Sequence, residues 1–359
     1  MFRKPDASVT NAQVPFSVQE LERWMHSHFA GLEGPLQLEQ YPGGQSNPTF
    51  RIRAGEERYV LRCKPAPAAK LLPSAHAIER EFRIISALAG TSVPVPAAHL
   101  LCEDESVIGR AFFIMGCVEG RVFWNPALPG VSASERALCY DDMNKVLAAL
   151  HSVDYAAAGL ADFGKTGGYL ARQIARWSKQ YKASETERIG AMDRLMSWLP
   201  DNIPAQDDTA VVHGDYRIDN LIFHPLEPRV IAVLDWELST LGHPLADLAY
   251  HCLSRHVPKD GFRGMGGLDL AALGIPDEEA YLAAYCRRTG RAEIADWDFY
   301  LAYNMFRMAA ILQGIMKRQV DGIAASQEAE KAGREARPMA ELGWRCVQEM
   351  STGKDSSYH

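Results

Sequence analysis

The chain of 359 residues has little cysteine, and its cysteines are not spaced for pairing. The seven cysteines are scattered, odd in number and free of any C-x-x-C motif, which argues against a disulfide framework and a zinc site. Long apolar runs are also missing: the longest, about Ala111 to Val118, is far shorter than the ~20 residues of a membrane helix. The start, MFRKPDASVTNAQVPFSV, lacks the apolar core of a signal peptide. We therefore expect a cytoplasmic protein without a membrane partner.

An excess of positive charge is missing as well. The formal net charge is −7, whereas a nucleic-acid partner calls for a basic face, so this class of partner is not expected. The length exceeds that of a usual single core, and the 47% hydrophobic content is enough to bury two lobes. The composition thus favours a two-lobed enzyme whose oligomeric state the sequence leaves open.

The segment VVHGDYRIDNLIFHPLEPRVIAVLD, residues 211–235, carries the clearest chemical signal. It places His213, Asp215 and Asn220 in a loop between apolar runs, and Asp235 at the end of the next strand-like run. Phosphoryl transfer needs positioning, Mg²⁺ and one carboxylate near the attacking hydroxyl. Asp215 is the candidate catalytic carboxylate and His213 would brace its loop, while Asn220 and Asp235 offer the oxygen ligands that Mg²⁺ prefers. A plain turn followed by an ordinary strand end is the alternative.

At these residues the chain resembles the protein-kinase-like fold in its aminoglycoside phosphotransferase branch, which includes choline kinase. Gly214 stands where protein kinases have the arginine of H-R-D, and Asp235-Trp236-Glu237 replaces D-F-G. The resemblance also covers LGHPLADLAYH, where it implies that Asp247 anchors the catalytic loop from a following helix; a helix cap is the alternative. The implied fold class is α+β, with a small antiparallel-sheet N-lobe carrying one helix and a larger, mainly helical C-lobe.

The strand and helix patterns divide the chain accordingly. We expect an arm and helix over residues 1–30, a nucleotide-binding N-lobe over 31–117, a helical C-lobe with the catalytic loop and acceptor site over 118–350, and a disordered tail over 351–359. Five strand-like runs and one helix, about Ser74 to Ala89, belong to the N-lobe.

ATP binding is expected in the N-lobe. A turn-rich loop between two strands offers backbone N–H groups, the Ser46 hydroxyl and Asn47 to phosphates, although a plain hairpin predicts the same residues. The resemblance implies a phosphate-binding lysine on the next strand, where this chain has Arg62; Lys64 lies on the same strand face and is the fallback. It also implies a helix glutamate paired with that cation, for which Glu81 is preferred over Glu79.

The last strand of the N-lobe is expected to reach the interlobe hinge. The run FFIMGCVEG would place the backbone of Gly116 and Val118 at the adenine edge and Met115 beside the ring. An ordinary buried strand would have the same sequence.

A second phosphate motif competes with this hypothesis. Gly159 to Thr166 reads GLADFGKT and matches G-x-x-x-x-G-K-T of P-loop NTPases, but that cradle requires a strand leading into its first glycine. The preceding residues read as a helix and an alanine-rich connector, so we expect no cradle here. A milder role stays open, in which the basic residues of this region contact an anionic acceptor: Lys165, Arg172 and Arg176, followed by Trp177.

The identity of the acceptor rests on a further resemblance. YVLRCKPAPAAKLLPSAHAIEREFRII, GGYLARQIARW and LDWELSTLGHPLADLAYHC resemble the kinase-like amino-terminal domain of some acyl-CoA dehydrogenase family proteins and its free-standing bacterial relatives, from about residue 30 to 345. This resemblance implies phosphorylation of hydroxyacyl-CoA by ATP and Mg²⁺. An aminoglycoside or choline-like amino alcohol is the alternative acceptor. A catalytically silent nucleotide-binding protein is the alternative of another class, with Arg62 as its only candidate defect.

Overall fold

The computed structural model describes residues 14–29, 32, 34–41, 47–65, 77–322 and 327–355. The chain divides into two compact units, of which the first comprises Met1–Phe123, Ala156–Leu160 and Arg217–Ser239. The second comprises Trp124–Tyr155, Ala161–Tyr216 and Thr240–His359. Residues 217–239, which the sequence assigns to the helical lobe, thus cluster with the first unit.

The first unit is built on an antiparallel five-stranded sheet with the order β1-β2-β3-β5-β4. Its strands are β1 Leu36–Gln40, β2 Thr49–Ala54, β3 Glu57–Cys63, β4 Ala98–Cys102 and β5 Phe112–Gly116. Apolar side chains of β1, β2 and β5 pack with helix α1, Val18–His28, into one buried core. The predicted sheet of five strands is confirmed within the described part of the chain.

Helix α2, Ile78–Leu88, places one charged residue on its buried face. Its buried positions are spaced three or four residues apart, as on one face of an α-helix, and Glu81 is among them together with Ile78, Ile84, Ile85 and Leu88. The sequence predicted a start at Ser74, but residues 66–76 lie outside the described residues. A carboxylate in this apolar stripe calls for a buried partner, since unpaired charge is costly there.

A β-hairpin completes the first unit. Strands β7, Leu221–Phe223, and β8, Val230–Val233, pair antiparallel, and Leu221 lies opposite Val233. Val118 packs against the small core that this hairpin contributes, made of Ile222, Ala232 and Leu234. The residues that flank the hairpin, Asn220 and Asp235, therefore emerge at the same end of it.

The second unit is mainly helical around a short strand pair. Strands β6, Ala210–Val212, and β9, Thr240–Gly242, pair antiparallel. The helices are α3 Ala133–His151, α4 Tyr169–Ala183, α5 Gly190–Asp201, α6 Pro244–Cys252, α7 Leu270–Leu273, α8 Glu278–Thr289, α9 Trp297–Val320, α10 Gln327–Arg334 and α11 Ala336–Asp355. Helix α9 packs against α4, α6, α10 and α11, and it is buried nearly all round from Phe299 to Gly314, as expected of a central helix.

The end of the chain differs from its predicted disorder. Helix α11 runs to Asp355, which lies within the predicted tail 351–359, and residues 356–359 are outside the described part. Within the described residues, none of these helices is both long enough and apolar enough to cross a membrane.

Candidate active site

The loop after β6 carries His213, Gly214 and Asp215 in the second unit. His213 is fully buried, and its Nδ1 accepts the N–H of Asp215 at 3.1 Å, so the imidazole holds the loop backbone; its part in catalysis stays a prediction. Gly214 has φ +79°, a left-handed conformation that residues with a side chain rarely adopt. This turn explains why the position holds glycine and not the arginine of H-R-D.

Asp247 anchors this loop from helix α6. Its carboxylate accepts the backbone N–H groups of His213 and Gly214 at 2.7 and 2.9 Å, and His151 Nε2 lies 3.2 Å away. Burial raises the pKa of Asp247, but the hydrogen bond and charge of His151 and the contact with His213 outweigh it and lower the pKa. The anchoring role is confirmed, and the helix-cap alternative is wrong because His243 occupies the N-cap of α6.

Two residues hold Asp215 and the loop around it, through contacts that the sequence did not predict. The hydroxyl of Tyr250, on α6, donates a hydrogen bond to Asp215 Oδ1 at 2.6 Å. Arg307 on α9 donates to the Gly214 carbonyl at 2.6 Å, and its guanidinium lies 4.9 Å from the Tyr250 ring centroid. The position of Tyr250, three residues after Asp247 and on the same helix face, was the signal available in the sequence.

A charged cluster surrounds Arg62 in the first unit. Arg62 Nε lies 2.9 Å from Glu81 Oε2, which is the pairing expected from the sequence. The terminal NH2 group of Arg62 lies 2.8 Å from Asp235 and 3.5 Å from Glu237. One guanidinium thus faces three carboxylates, and Arg62 and Glu81 are both almost completely buried.

Burial dominates the electrostatics of Glu81. It raises the pKa of this carboxyl to about 7 against the lowering effect of Arg62, and the charges of Asp235 and Glu237 act in the same direction as burial. Glu81 Oε1 accepts a hydrogen bond from buried Asn47 at 2.7 Å. Asn47 thereby orients Glu81, whereas its predicted contact with phosphate stays a prediction; Ser46 lies outside the described residues.

Lys64 forms a separate ion pair with Glu79, and both side chains are partly exposed. The two cation–glutamate pairs are therefore distinct: Arg62 is the buried cation and Lys64 the partly exposed one. Arg62, not the fallback Lys64, contacts the carboxylate of Asp235. Which of the two contacts a phosphate stays a prediction.

The predicted metal ligands lie at one end of the β7–β8 hairpin. The carbonyl of Asn220 accepts the N–H of Leu234 at 2.8 Å, which fixes Asn220 beside the residue that precedes Asp235. Asp235 has φ +66°, and a strained backbone of this kind at a non-glycine residue is typical of functional sites. The described residues contain no group of three or more His, Cys, Asp or Glu that could hold a metal alone.

This donor set fits Mg²⁺ bound together with a nucleotide. Mg²⁺ takes one or two carboxylates, and phosphates and water complete its shell, so a large protein cluster is not needed. Three carboxylates around Arg62 leave a surplus of negative charge, and the Asp235 side chain is 17% exposed. The charge balance is therefore suited to an added cation.

The residues predicted to bind adenine lie at the end of strand β5 and just after it. Met115 is buried, Gly116 N–H donates to Ala97 O at 2.8 Å, and Val118 packs on the core of the hairpin. The backbone N–H of Val118 has no hydrogen-bond partner within the described chain. Its contact with adenine stays a prediction.

The GLADFGKT segment lacks the context of a phosphate cradle. Helix α3 ends at His151 and turns follow, so no strand leads into Gly159 within this described stretch. A Cβ on Gly164 would collide with Thr240 and Leu241, which accounts for this glycine by close packing on β9. Lys165 is exposed, and Arg172 donates to the backbone carbonyls of Lys165 and Gly167.

Sequence comparison with known proteins agrees with a phosphotransferase site. A model of the phosphotransferase enzyme family matches residues 37–303. Acyl-CoA dehydrogenase family member 10 of Mus musculus is 51% identical over 313 residues, or 87% of this chain and 29% of that protein. Family member 11 of Rattus norvegicus is 42% identical over 338 residues, or 92% of this chain and 43% of that protein. The chain therefore spans less than half the length of these relatives.

Solved structures show the same fold. A crystal structure described as a "putative aminoglycoside phosphotransferase" from Ralstonia eutropha is 59% identical and has a TM-score of 0.87, covering 93% of this chain and 99% of that one. A thermostable mutant of an aminoglycoside phosphotransferase, in ternary complex with AMP-PNP and hygromycin B, has a TM-score of 0.59 at 18% identity, covering 91% of this chain and 98% of that one. The predicted kinase-like fold class and phosphotransferase family are confirmed.

Proposed function

This chain belongs to the phosphotransferase enzyme family, and we propose that it transfers the γ-phosphate of ATP to a hydroxyl of a hydroxyacyl-CoA. The observation that carries the transfer reaction is the fixed position of Asp215. Its loop is held through the backbone by Asp247 and Arg307, and its carboxylate is held by Tyr250 while remaining partly exposed. Such constraint is expected of a group whose task is to orient a reacting hydroxyl.

Asp215 acts on the acceptor in this mechanism. The acceptor oxygen attacks the γ-phosphorus, its proton passes to the Asp215 carboxylate, and the bond from the γ-phosphorus to the β–γ bridging oxygen breaks, which releases ADP. His213 is fully buried and holds the loop through the Asp215 N–H. It is therefore a positioning residue.

The first unit supplies the residues for the nucleotide. Arg62, oriented by Glu81, is the cation for the phosphates, because a guanidinium presents a planar fork of donors that suits phosphate oxygens. The backbone of Gly116 and Val118 is assigned to the adenine edge, with Met115 beside the ring, and Ser46 and Asn47 to the phosphate loop. Val118 supports this assignment because its N–H is unpaired within the described residues and its side chain lies on an apolar surface.

Asn220 and Asp235 would hold Mg²⁺. When bound, the ion neutralises charge on the phosphates. The support for this assignment is the placement of both residues at one end of the β7–β8 hairpin and the surplus of carboxylates around Arg62. The nucleotide analogue bound by the aminoglycoside phosphotransferase mentioned above makes ATP the expected donor.

Arg307 bears on the choice of acceptor. It is 7% exposed, lies beside the catalytic loop and forms no ion pair within the described chain. A fixed positive charge near Asp215 disfavours an acceptor that carries several ammonium groups, as aminoglycosides do, since like charges repel in a partly buried site. The relatedness to acyl-CoA dehydrogenase family members favours an acyl-CoA acceptor instead. The amino-alcohol alternative carries one ammonium group and is disfavoured less strongly.

An acceptor panel tests the proposal. Purified protein is incubated with Mg·ATP and one acceptor at a time from four classes, namely hydroxyacyl-CoAs, amino alcohols, sugars and aminoglycosides, and ADP release and phosphorylated product are measured. We expect product with a hydroxyacyl-CoA and none with aminoglycosides. Product only with aminoglycosides would overturn the acceptor class and leave the kinase assignment intact. ATP binding without product or hydrolysis would favour the silent alternative.

Asp215→Asn is the matched control for this panel. The amide keeps the shape of the loop but cannot take a proton, so we expect transfer to fall by about 10² to 10⁴, the usual cost of removing a general base. The affinity for Mg·ATP should not change, because Asp215 acts on the acceptor side. A fully active Asp215→Asn enzyme would refute the catalytic assignment.

A further inference from the structure

The carboxylate of Asp215 and the backbone around it are fixed by one turn of helix α6. Asp247 and Tyr250 are three residues apart, so their side chains share one face of the helix. Asp247 binds the N–H groups of His213 and Gly214, and Tyr250 binds Asp215 Oδ1. The backbone and the side chain of the loop are therefore held by neighbouring positions of the same helix.

The contact from Tyr250 is a short hydrogen bond to a charged group. At 2.6 Å it falls in the range of strong O–H···O⁻ bonds, which are about twice as strong as neutral ones. A carboxylate accepts up to about four hydrogen bonds, so a bond to Oδ1 leaves Asp215 able to accept the acceptor hydroxyl. The bond from Tyr250 restricts rotation of the Asp215 carboxylate, which can still accept further hydrogen bonds.

Arg307 packs on the ring of Tyr250. Its guanidinium lies 4.9 Å from the Tyr250 ring centroid and 5.7 Å from the ring centroid of Trp177. Cation–π contacts of this kind are strongest where the partners are removed from water, and Arg307, Tyr250 and Trp177 are all largely buried. Arg307 also donates a hydrogen bond to the Gly214 carbonyl. A single guanidinium therefore contacts both the Tyr250 ring and the loop backbone.

We propose that Tyr250 is a positioning residue for phosphoryl transfer, which sets the orientation in which Asp215 receives the proton of the acceptor, and that Arg307 fixes Tyr250 for this task. The proposal rests on the function proposed above. A purely structural tyrosine would contribute to stability alone, whereas a positioning residue affects turnover more than substrate binding.

Tyr250→Phe is the direct test, because it removes one hydroxyl and keeps the ring on which Arg307 packs. We expect kcat to fall by about 10- to 100-fold, as for loss of one hydrogen bond to a charged group, and the dissociation constant of Mg·ATP to stay within about twofold. ADP formation is measured with a hydroxyacyl-CoA as acceptor and also with water as acceptor, so that a rate exists for every variant.

Tyr216→Phe is a matched control in the next position of the loop. The Tyr216 hydroxyl donates to the Met143 carbonyl at 2.9 Å and not to Asp215, so the same chemical change removes a buried hydrogen bond without touching the carboxylate. We expect a lower melting temperature and a kcat within about twofold of the wild type. Equal losses of kcat in both variants would show that Tyr250 acts only through stability and would overturn the proposal.

Asp215→Asn separates this inference from the proposed function. If Asp215→Asn is inactive and Tyr250→Phe has the kcat of the wild type, the positioning role is refuted and the catalytic assignment stands. If Asp215→Asn is fully active, the catalytic assignment fails and the role of Tyr250 fails with it. Slow turnover in Asp215→Asn and Tyr250→Phe, with unchanged Mg·ATP affinity and an active Tyr216→Phe control, supports the proposal.

Discussion

Replacement of Asp247 by alanine is expected to destabilise the loop of His213, Gly214 and Asp215 more than any surface substitution. The change leaves the N–H groups of His213 and Gly214 without their acceptor, and both residues are buried. An orphaned buried donor costs about 1–3 kcal/mol, so two of them predict a loss of about 2–6 kcal/mol in the free energy of unfolding. This is a large share of the ~5–15 kcal/mol that stabilises a typical protein.

Urea denaturation followed by circular dichroism measures this loss, and Asp141→Ala is its control. Asp141 is an acidic residue of the same unit, but its side chain is 59% exposed and its ion pair with Arg288 lies at the surface. Exposed pairs contribute about 0–1 kcal/mol, so the control should remain close to the wild type. Hydrogen exchange should also become faster at the amides of His213 and Gly214 in Asp247→Ala. An unfolding free energy within 1 kcal/mol of the control, with both amides still protected, would refute the reasoning.

Three further predictions concern the nucleotide side. Asp235→Ala is expected to abolish Mg²⁺-dependent ATP turnover, because it removes the carboxylate assigned to the metal; unchanged Mg·ATP affinity in calorimetry and unchanged turnover would exclude that role. Arg62→Ala is expected to lower the free energy of unfolding by about 3–5 kcal/mol in urea denaturation, since it leaves Glu81 buried without its cation. Lys64→Ala is the control: it removes a partly exposed ion pair and should lower the free energy of unfolding by less than about 1 kcal/mol. Equal losses would contradict this distinction. Lys165→Ala is expected to leave ATP affinity within a few-fold of the wild type; lost ATP binding there, with Arg62→Ala unaffected, would revive the P-loop alternative.

The sequence predicted most of what depends on short-range pattern. The strands of the first unit follow from alternation and turn residues. The helical spacing alone did not single out Glu81 from Glu79, and the structure shows that Glu81 is the one on the buried face of the helix. The pairing of Glu81 with Arg62 was expected from the resemblance to kinase-like proteins, in which a helix glutamate meets a strand cation. The structure contains that contact.

The contacts that sequence reasoning missed join residues far apart in the chain. Nothing local marks Arg307, which lies 93 residues from Gly214 on a helix rich in basic and aromatic residues. An arginine on such a helix is usually a solvated charge, and only tertiary packing shows that this one is buried against the loop. The contact of Tyr250 with Asp215 was missed for a similar reason, because a tyrosine on a mostly buried helix is most simply explained as a core residue.

The cluster around Arg62 in the first unit and the loop at Asp215 in the second differ in charge balance, and this difference supports the tasks proposed for them. Around Arg62, three carboxylates face one guanidinium, so the cluster has a surplus of negative charge that a divalent cation would compensate. The Asp215 carboxylate, the proposed proton acceptor, receives a hydrogen bond from Tyr250 and lies in the field of Arg307, so we expect no added cation to be needed there. Chelation of Mg²⁺ should therefore alter the residues around Arg62 and leave the loop at Asp215 unchanged. In the proposed mechanism, the loop therefore holds Asp215 in place before the metal–nucleotide complex binds, and we expect the rate of transfer to depend on the hydrogen bond from Tyr250.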